Sequence, residues 1–290
     1  MKAAGFGVAV ALVAIATLSA APQQRRFSSG VVAVRVDAQV MDGRRSVPGL
    51  RAEDFVLLDN GVPQTVSLVD TAASPINVVL AFDLSGSTSG RRLADLTSAS
   101  EALIAGLKSG DRLGLTTFTH SASPRIALTP EFAAVTQALR GAAASGDTSL
   151  FDALHVALLL TQAEAGRSLV VVCSDGRDTA SWLRPDEVLE SARRSNAVVT
   201  FVAAGRARGW DFPKNLAQAT GGDTIDLEST NDMRRDFERI LQDFRSRYVI
   251  SYTPSGVTPG GYHRLQVSVR NKGLTVRARP GYFGAGEAPR

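Results

Sequence analysis

The residues best able to do chemistry are hard oxygen donors near the ends of apolar runs. In Asp83-Leu84-Ser85-Gly86-Ser87, three oxygen-bearing side chains stand at every second position, so an extended turn aims all three toward one point. Asp83 brings charge, and Ser85 and Ser87 bring neutral oxygens that add no repulsion. A second carboxylate, Asp175, follows the apolar run that ends at Cys173, and Thr148 sits between the two in Gly146-Asp147-Thr148-Ser149-Leu150. Two carboxylates and three hydroxyls, with no His or Cys among them, suit Mg²⁺, Mn²⁺ or Ca²⁺ rather than zinc or copper. Mg²⁺ takes six oxygens and usually keeps waters, so five side chains leave room for an outside ligand. With only two formal negative charges the cation stays electrophilic, and a carboxylate from a protein partner is the natural completing ligand.

Positioning these groups requires strands that end at one edge. Residues 77–82 and 169–173 are short, continuously apolar runs, as expected for strands covered on both faces. Further strands are expected at 113–118, 198–203 and 224–226. Helical patterns occupy 93–107, 132–139, 150–163, 186–194, 212–219 and 232–244, with Pro185 at a favoured first-turn position. Strands alternating with helices predict a doubly wound α/β fold, a mostly parallel sheet with helices on both faces. In such sheets ligands bind outside the carboxyl ends of the strands, where Asp83 and Asp175 stand. Asp147, beside Thr148, is expected to cap the helix that follows.

The flanks read differently. Val32, Val34, Val36, Ala38 and Val40 alternate with polar residues, and Asp42-Gly43 and Asn60-Gly61 are turn dipeptides. After Arg247 the alternation returns through 248–252, 265–269 and 274–278, with Asn271-Lys272-Gly273 expected to close a hairpin. Neither flank has enough strands for an independent sheet. The two are therefore expected to combine into one small β module with the α/β domain inserted between them. The expected organisation is a leader at 1–21, an N-terminal β flank at 22–75, the α/β domain at 76–245 and a C-terminal β flank at 246–290.

At the oxygen-rich positions the sequence resembles the von Willebrand factor type A domain. Asp83–Ser87 is similar to its D-x-S-x-S motif, Thr148 to its second-loop threonine and Asp175 to its third-loop aspartate, which together form a metal-ion-dependent adhesion site. The resemblance spans 76–244 and implies that Ser85, Ser87 and Thr148 touch the metal directly, with Asp83 and Asp175 direct or through water. The flanks resemble secreted bacterial proteins of this type through Val47-Pro48-Gly49-Leu50, Ala52-Glu53-Asp54-Phe55 and the stretch from Val276 to Tyr282. The function implied is a metal-dependent protein-binding module and not an enzyme.

Rival chemistries fit less well. Gly86-Ser87-Thr88-Ser89-Gly90 mimics the elbow that presents a hydrolase nucleophile, but Thr88 stands where Ser is expected. None of His120, His155 and His263 has an evident acidic partner, so a hydrolase in the same crevice is the alternative of a different class. A phosphotransferase with an Asp nucleophile would want a second Asp at Ser85, and no phosphate-binding Gly-x-x-x-x-Gly-Lys occurs. A third possibility gives the binding role to the β module and leaves the α/β domain as scaffold. Trp182, Trp210 and Phe212 follow strands and are expected to cover the core.

Composition narrows the setting. The net charge is only +4, and the basic residues are scattered in pairs such as Arg91-Arg92 and Arg193-Arg194, with no run of five or six, which argues against nucleic acid. Lys2, the uncharged stretch from Ala3 to Ala21 and the small residues Ser19, Ala20 and Ala21 have the layout of a secretory signal peptide, so the mature protein is expected to be secreted or periplasmic, with membrane attachment only if the leader stays uncleaved. Cys173 is the single cysteine; it excludes an intrachain disulfide and reads as a buried strand residue.

Overall fold

The computed structural model describes residues 33–69, 74–203, 210–226 and 232–284, all within one unit, Val32–Arg290. The leader-like segment lies outside the described residues. The elements run β1 (Val34–Asp42), β2 (Arg45–Ser46), β3 (Phe55–Asp59), β4 (Val62–Gln64), β5 (Val66–Val69), β6 (Ile76–Asp83), α1 (Arg91–Ala105), β7 (Arg112–Phe118), β8 (Ala122–Thr129), α2 (Phe132–Arg140), α3 (Leu150–Gln162) and β9 (Arg167–Ser174). They continue with α4 (Pro185–Arg194), β10 (Val198–Ala203), α5 (Asp211–Thr220), β11 (Thr224–Asp226), α6 (Met233–Arg245), β12 (Tyr248–Tyr252), β13 (Tyr262–Val269), β14 (Thr275–Arg277) and β15 (Gly281–Phe283).

The central sheet has the order β11-β10-β9-β6-β7-β8 and is parallel except at β8. All eight residues of β6 are buried, because helices cover both faces. Val78, Leu80 and Phe82 face one core with Leu96 and Leu103 of α1 and Phe237, Leu241 and Phe244 of α6. Val79 and Ala81 face the other, with Leu154 and Leu158 of α3, Val188 of α4 and Leu216 of α5. The expected doubly wound architecture is present. The antiparallel β8 is an addition to it; Pro124 lies within this partly exposed strand at the sheet edge, where proline is tolerated.

The flanks interleave in two antiparallel sheets, β14-β1-β12-β5, with β2 also on β1, and β15-β13-β3-β4. Every strand of the N-terminal flank except β2 and β4 pairs with one from the C-terminal flank, β1 with β12 and β14, β5 with β12, β3 with β13. Val36, Ala38, Phe55, Leu57, Ile250, Leu265 and Tyr282 fill the space between the sheets. Asn60 and Gly61, at φ of 47° and 83°, turn the chain between β3 and β4, which suits the type I′ preference for Asn-Gly.

The Asn271-Lys272-Gly273 connection does not close a hairpin. β13 pairs with β3 and β15, whereas β14 pairs with β1, so the chain crosses from one sheet to the other there. Leu274 and Val276 pack, partly buried, against the core shared by the two sheets. Arginine side chains supply several of the ties between the β module and the α/β domain. Arg167 donates to Asp37 from Nε and Nη2 at 2.8 and 2.5 Å, Arg279 donates to Asn196 Oδ1 and the Arg193 carbonyl at 2.8 and 2.7 Å, and Arg277 donates to Asp223 at 2.5 Å.

Candidate metal centre

Asp83 ends β6 at the carboxyl edge of the sheet and is fully buried. Its Oδ1 accepts from the Ser85 backbone N–H at 2.8 Å, and its Oδ2 accepts from the Ser174 hydroxyl, at the end of β9, at 2.7 Å. The Thr88 hydroxyl lies 2.9 and 2.8 Å from the carbonyls of Asp83 and Ser85 and closes the turn. Within that turn the Ser85 and Ser87 hydroxyl oxygens stand 3.1 Å apart, Ser85 buried and Ser87 open to solvent.

Thr148 is brought alongside by backbone bonds between loops. Gly86 N–H donates to the Gly146 carbonyl at 3.0 Å, and Ser145 N–H to the Leu84 carbonyl at 2.7 Å. The third loop grips Thr148 from the other side: its N–H donates to Thr179 Oγ1 at 3.0 Å, and its carbonyl accepts from Thr179 and Ala180 at 2.8 and 3.0 Å. Asp175 opens that loop. Its Oδ1 accepts from the Arg177 N–H at 3.1 Å, and its carbonyl accepts from the Trp210 indole at 3.2 Å. Gly176, at φ +84°, fits under that indole, where a Cβ would come within 3.0 Å of Trp210 Nε1.

Electrostatics at this edge favour a cation. Burial raises the Asp83 carboxyl above its ordinary range, hydrogen bonds from Ser85 and Ser174 offset part of that rise, and the charge of Asp175 adds to it. Two carboxylates that sense each other's charge beside three hydroxyls form an oxygen-only donor set, and an ion of +2 charge would remove the repulsion while compensating the desolvation of Asp83. The residues therefore fit a hard divalent ion. Among the described residues no cluster of three or more His, Cys, Asp or Glu side chains forms another candidate centre.

Several neighbours depart from the sequence-based expectations. Asp147 is exposed and does not cap α3, whose N-cap residue is Ser149 without a side-chain bond. The free N–H groups there are met instead from the third loop, Phe151 by Asp178 Oδ1 and Ser181 Oγ at 3.3 and 3.0 Å, and Asp152 by Ser181 Oγ at 3.2 Å. Trp210 is buried and Phe212 packs edge-on against Phe151, but Trp182 is 94% exposed and covers nothing. His263 has an acidic partner after all: its Nδ1 lies 2.8 Å from Asp59 Oδ1, inside the β module and away from solvent. His155 meets the Ser191 hydroxyl at 3.0 Å between α3 and α4, and the exposed His120 meets Thr119 Oγ1 at 3.2 Å. Ser174, Thr179 and Trp210 support the site without any sequence signal of their own, since each acts through a contact between loops. Cys173 is buried, and burial pushes its thiol far above the ordinary range.

Comparison with known proteins agrees with this geometry. The family model described as von Willebrand factor type A domain matches residues 77–246. Among solved structures, a von Willebrand factor type A protein from Catenulispora acidiphila aligns over 82% of this chain and 74% of its own at 14% identity, with a TM-score of 0.52. Proximal thread matrix protein 1 from the mussel byssus aligns over 64% of this chain and 49% of its own at 15% identity, with a TM-score of 0.54. A further structure of that mussel protein, at a TM-score of 0.51 and the same identity and coverage, has a zinc-occupied MIDAS motif. At such identities the likeness is one of fold. No curated protein matches the sequence. The matched segment is more than half of the chain and contains all five candidate ligands, and the chain belongs to the von Willebrand factor type A domain family.

Proposed function

We propose that this protein is a metal-dependent protein-binding module and not an enzyme. Asp83, Ser85, Ser87, Thr148 and Asp175 would hold one divalent cation, Mg²⁺ or else Mn²⁺ or Ca²⁺, and a partner protein would supply a carboxylate to it. The observation that carries this reading is the buried Asp83, clamped by Ser85 and Ser174 and raised in pKa beside a second carboxylate, at an edge where Ser87 is open to solvent. When bound, the ion would supply an electrophilic centre for an acidic side chain. This chain's residues hold its donors in place and leave Ser87 at the open side of the turn.

The binding reading is favoured over hydrolysis by the histidines. His263 is sealed inside the β module with Asp59, and neither His155 nor His120 is bonded to a carboxylate. Export is part of the proposal and is supported by the leader-like composition of residues 1–21. Among the described residues no helix is long and apolar enough to cross a membrane.

Thermal unfolding with Mg²⁺ tests the metal, with Zn²⁺ run in parallel because the mussel protein's motif holds it. Mg²⁺ should raise the melting temperature of the wild type and leave Asp83→Ala and Asp175→Ala unmoved; an equal rise in both variants overturns the assignment. Capture of a partner from the extracytoplasmic fraction should be lost in EDTA. Capture that survives EDTA assigns binding to the β module instead.

A further inference from the structure

A second charged site lies on the opposite side of the molecule's chemistry, at the seam between the β module and the α/β domain. Arg247, between α6 and β12, is buried, with 5% of its surface exposed. Its Nη2 reaches Gln39 Oε1 of β1 only at 3.5 Å, and its buried Nη1 has no hydrogen-bond partner. The guanidinium lines a cavity of about 30 Å³ together with Thr200 of β10, Asp223, Arg239, Asp243 and Arg277.

Among the described residues that line this cavity, three guanidinium groups face two carboxylates. Arg277 is paired with Asp223 at 2.5 Å and Arg239 with Asp243 at 3.5 Å, so both carboxylates of the lining are taken. Asp37, whose charge also reaches Arg247, is held at Oδ1 by both Nε and Nη2 of Arg167. Arg247 is the third guanidinium against two carboxylates. Burial, only partly offset by Asp37 and Asp223, pushes its pKa down to about 10, which still leaves it cationic at neutral pH. A buried charge that is only partly compensated is disfavoured, and a water would satisfy the Nη1 donor without adding negative charge. The space is small and accommodates a monoatomic ion or a few waters.

We propose that this cavity binds one small monovalent anion, chloride or bromide, against Nη1 of Arg247. The ion would complete the seam, because its lining comes from β1, β14 and Arg247 on one side and from β10, Asp223 and α6 on the other. The site is independent of the metal centre and stands or falls separately from it.

Thermal unfolding of the full chain in sodium chloride, sodium bromide and sodium gluconate at equal ionic strength reads the effect. The halides should raise the melting temperature over gluconate by on the order of 2–4 °C, and Arg247→Met should abolish the difference. Crystals grown in bromide should show an anomalous peak in the cavity, a readout that holds even if the variant fails to fold. Equal melting in all three salts, or oxygen-like density with no anomalous signal, overturns the proposal.

Discussion

At the scale of single residues, the proposed metal centre depends on a carboxylate kept where water is scarce. Asp83 is held by one backbone and one side-chain donor, and both bonds survive in an amide of the same shape: Oδ1 of an asparagine still accepts from Ser85, and the Ser174 hydroxyl can turn to accept. Asp83→Asn removes the buried charge, so the metal-free protein should melt no lower than wild type while its response to Mg²⁺ disappears. Calorimetric scans with and without Mg²⁺ check both halves. The pH dependence has a defined sign. Burial raises the folded-state pKa of Asp83, so the charged form that a cation needs is lost as pH falls through a value above the ordinary carboxylate range. Mg²⁺-dependent stabilisation should accordingly fade at a higher pH than that of an unperturbed carboxylate, read as the melting increment across an acid series.

At the scale of elements, the site is a matter of loops fastened to one another. Thr179→Val removes the acceptor for the Thr148 N–H, a loss of about 1 kcal/mol for a typical hydrogen bond and somewhat more if the N–H stays buried and unmet. Its larger effect should be a several-fold weaker Mg²⁺ affinity, measured by titration calorimetry, because Thr148 loses one side of its grip. Trp182 stands at the other extreme: with 94% of its surface exposed, Trp182→Ala should leave stability within about 0.5 kcal/mol of wild type. The central strands and helices were legible in the sequence because continuous apolar runs and helical periodicity are local properties. The candidate positions at the end of β6 could be picked out because a strand end followed by alternating oxygen donors is also local. What was hidden depends on chain crossings. The edge strand β8 carries a proline and lacks a continuous apolar run, Asn271-Lys272-Gly273 joins two sheets instead of two neighbours, and Asp178 and Ser181 do the capping expected of Asp147.

At the scale of the whole molecule, the chain encloses its α/β domain between two flanks that need each other. Between the two sheets, buried Asp59 accepts from the hydroxyls of Tyr252 and Tyr282, both at 2.9 Å, and lies 2.8 Å from His263. Burial leads the causes that raise both tyrosines, Tyr282 to about 12, so each remains a donor throughout the neutral range. Asp59→Ala would leave three polar groups without their shared partner and should cost about 3–5 kcal/mol, seen as a shifted denaturant midpoint. Deleting residues 33–69 removes the partners of β12, β13 and β14 and should make the C-terminal flank sensitive to protease, while an unaffected flank would contradict the shared module.

The cation itself is best located by anomalous diffraction from crystals soaked in Mn²⁺. One strong peak should lie among the side-chain oxygens of Asp83, Ser85, Ser87, Thr148 and Asp175, and should vanish in Asp83→Ala crystals. Absence of the peak in wild-type crystals, or a peak elsewhere that ignores the substitution, would contradict the assignment of these five residues as a metal centre.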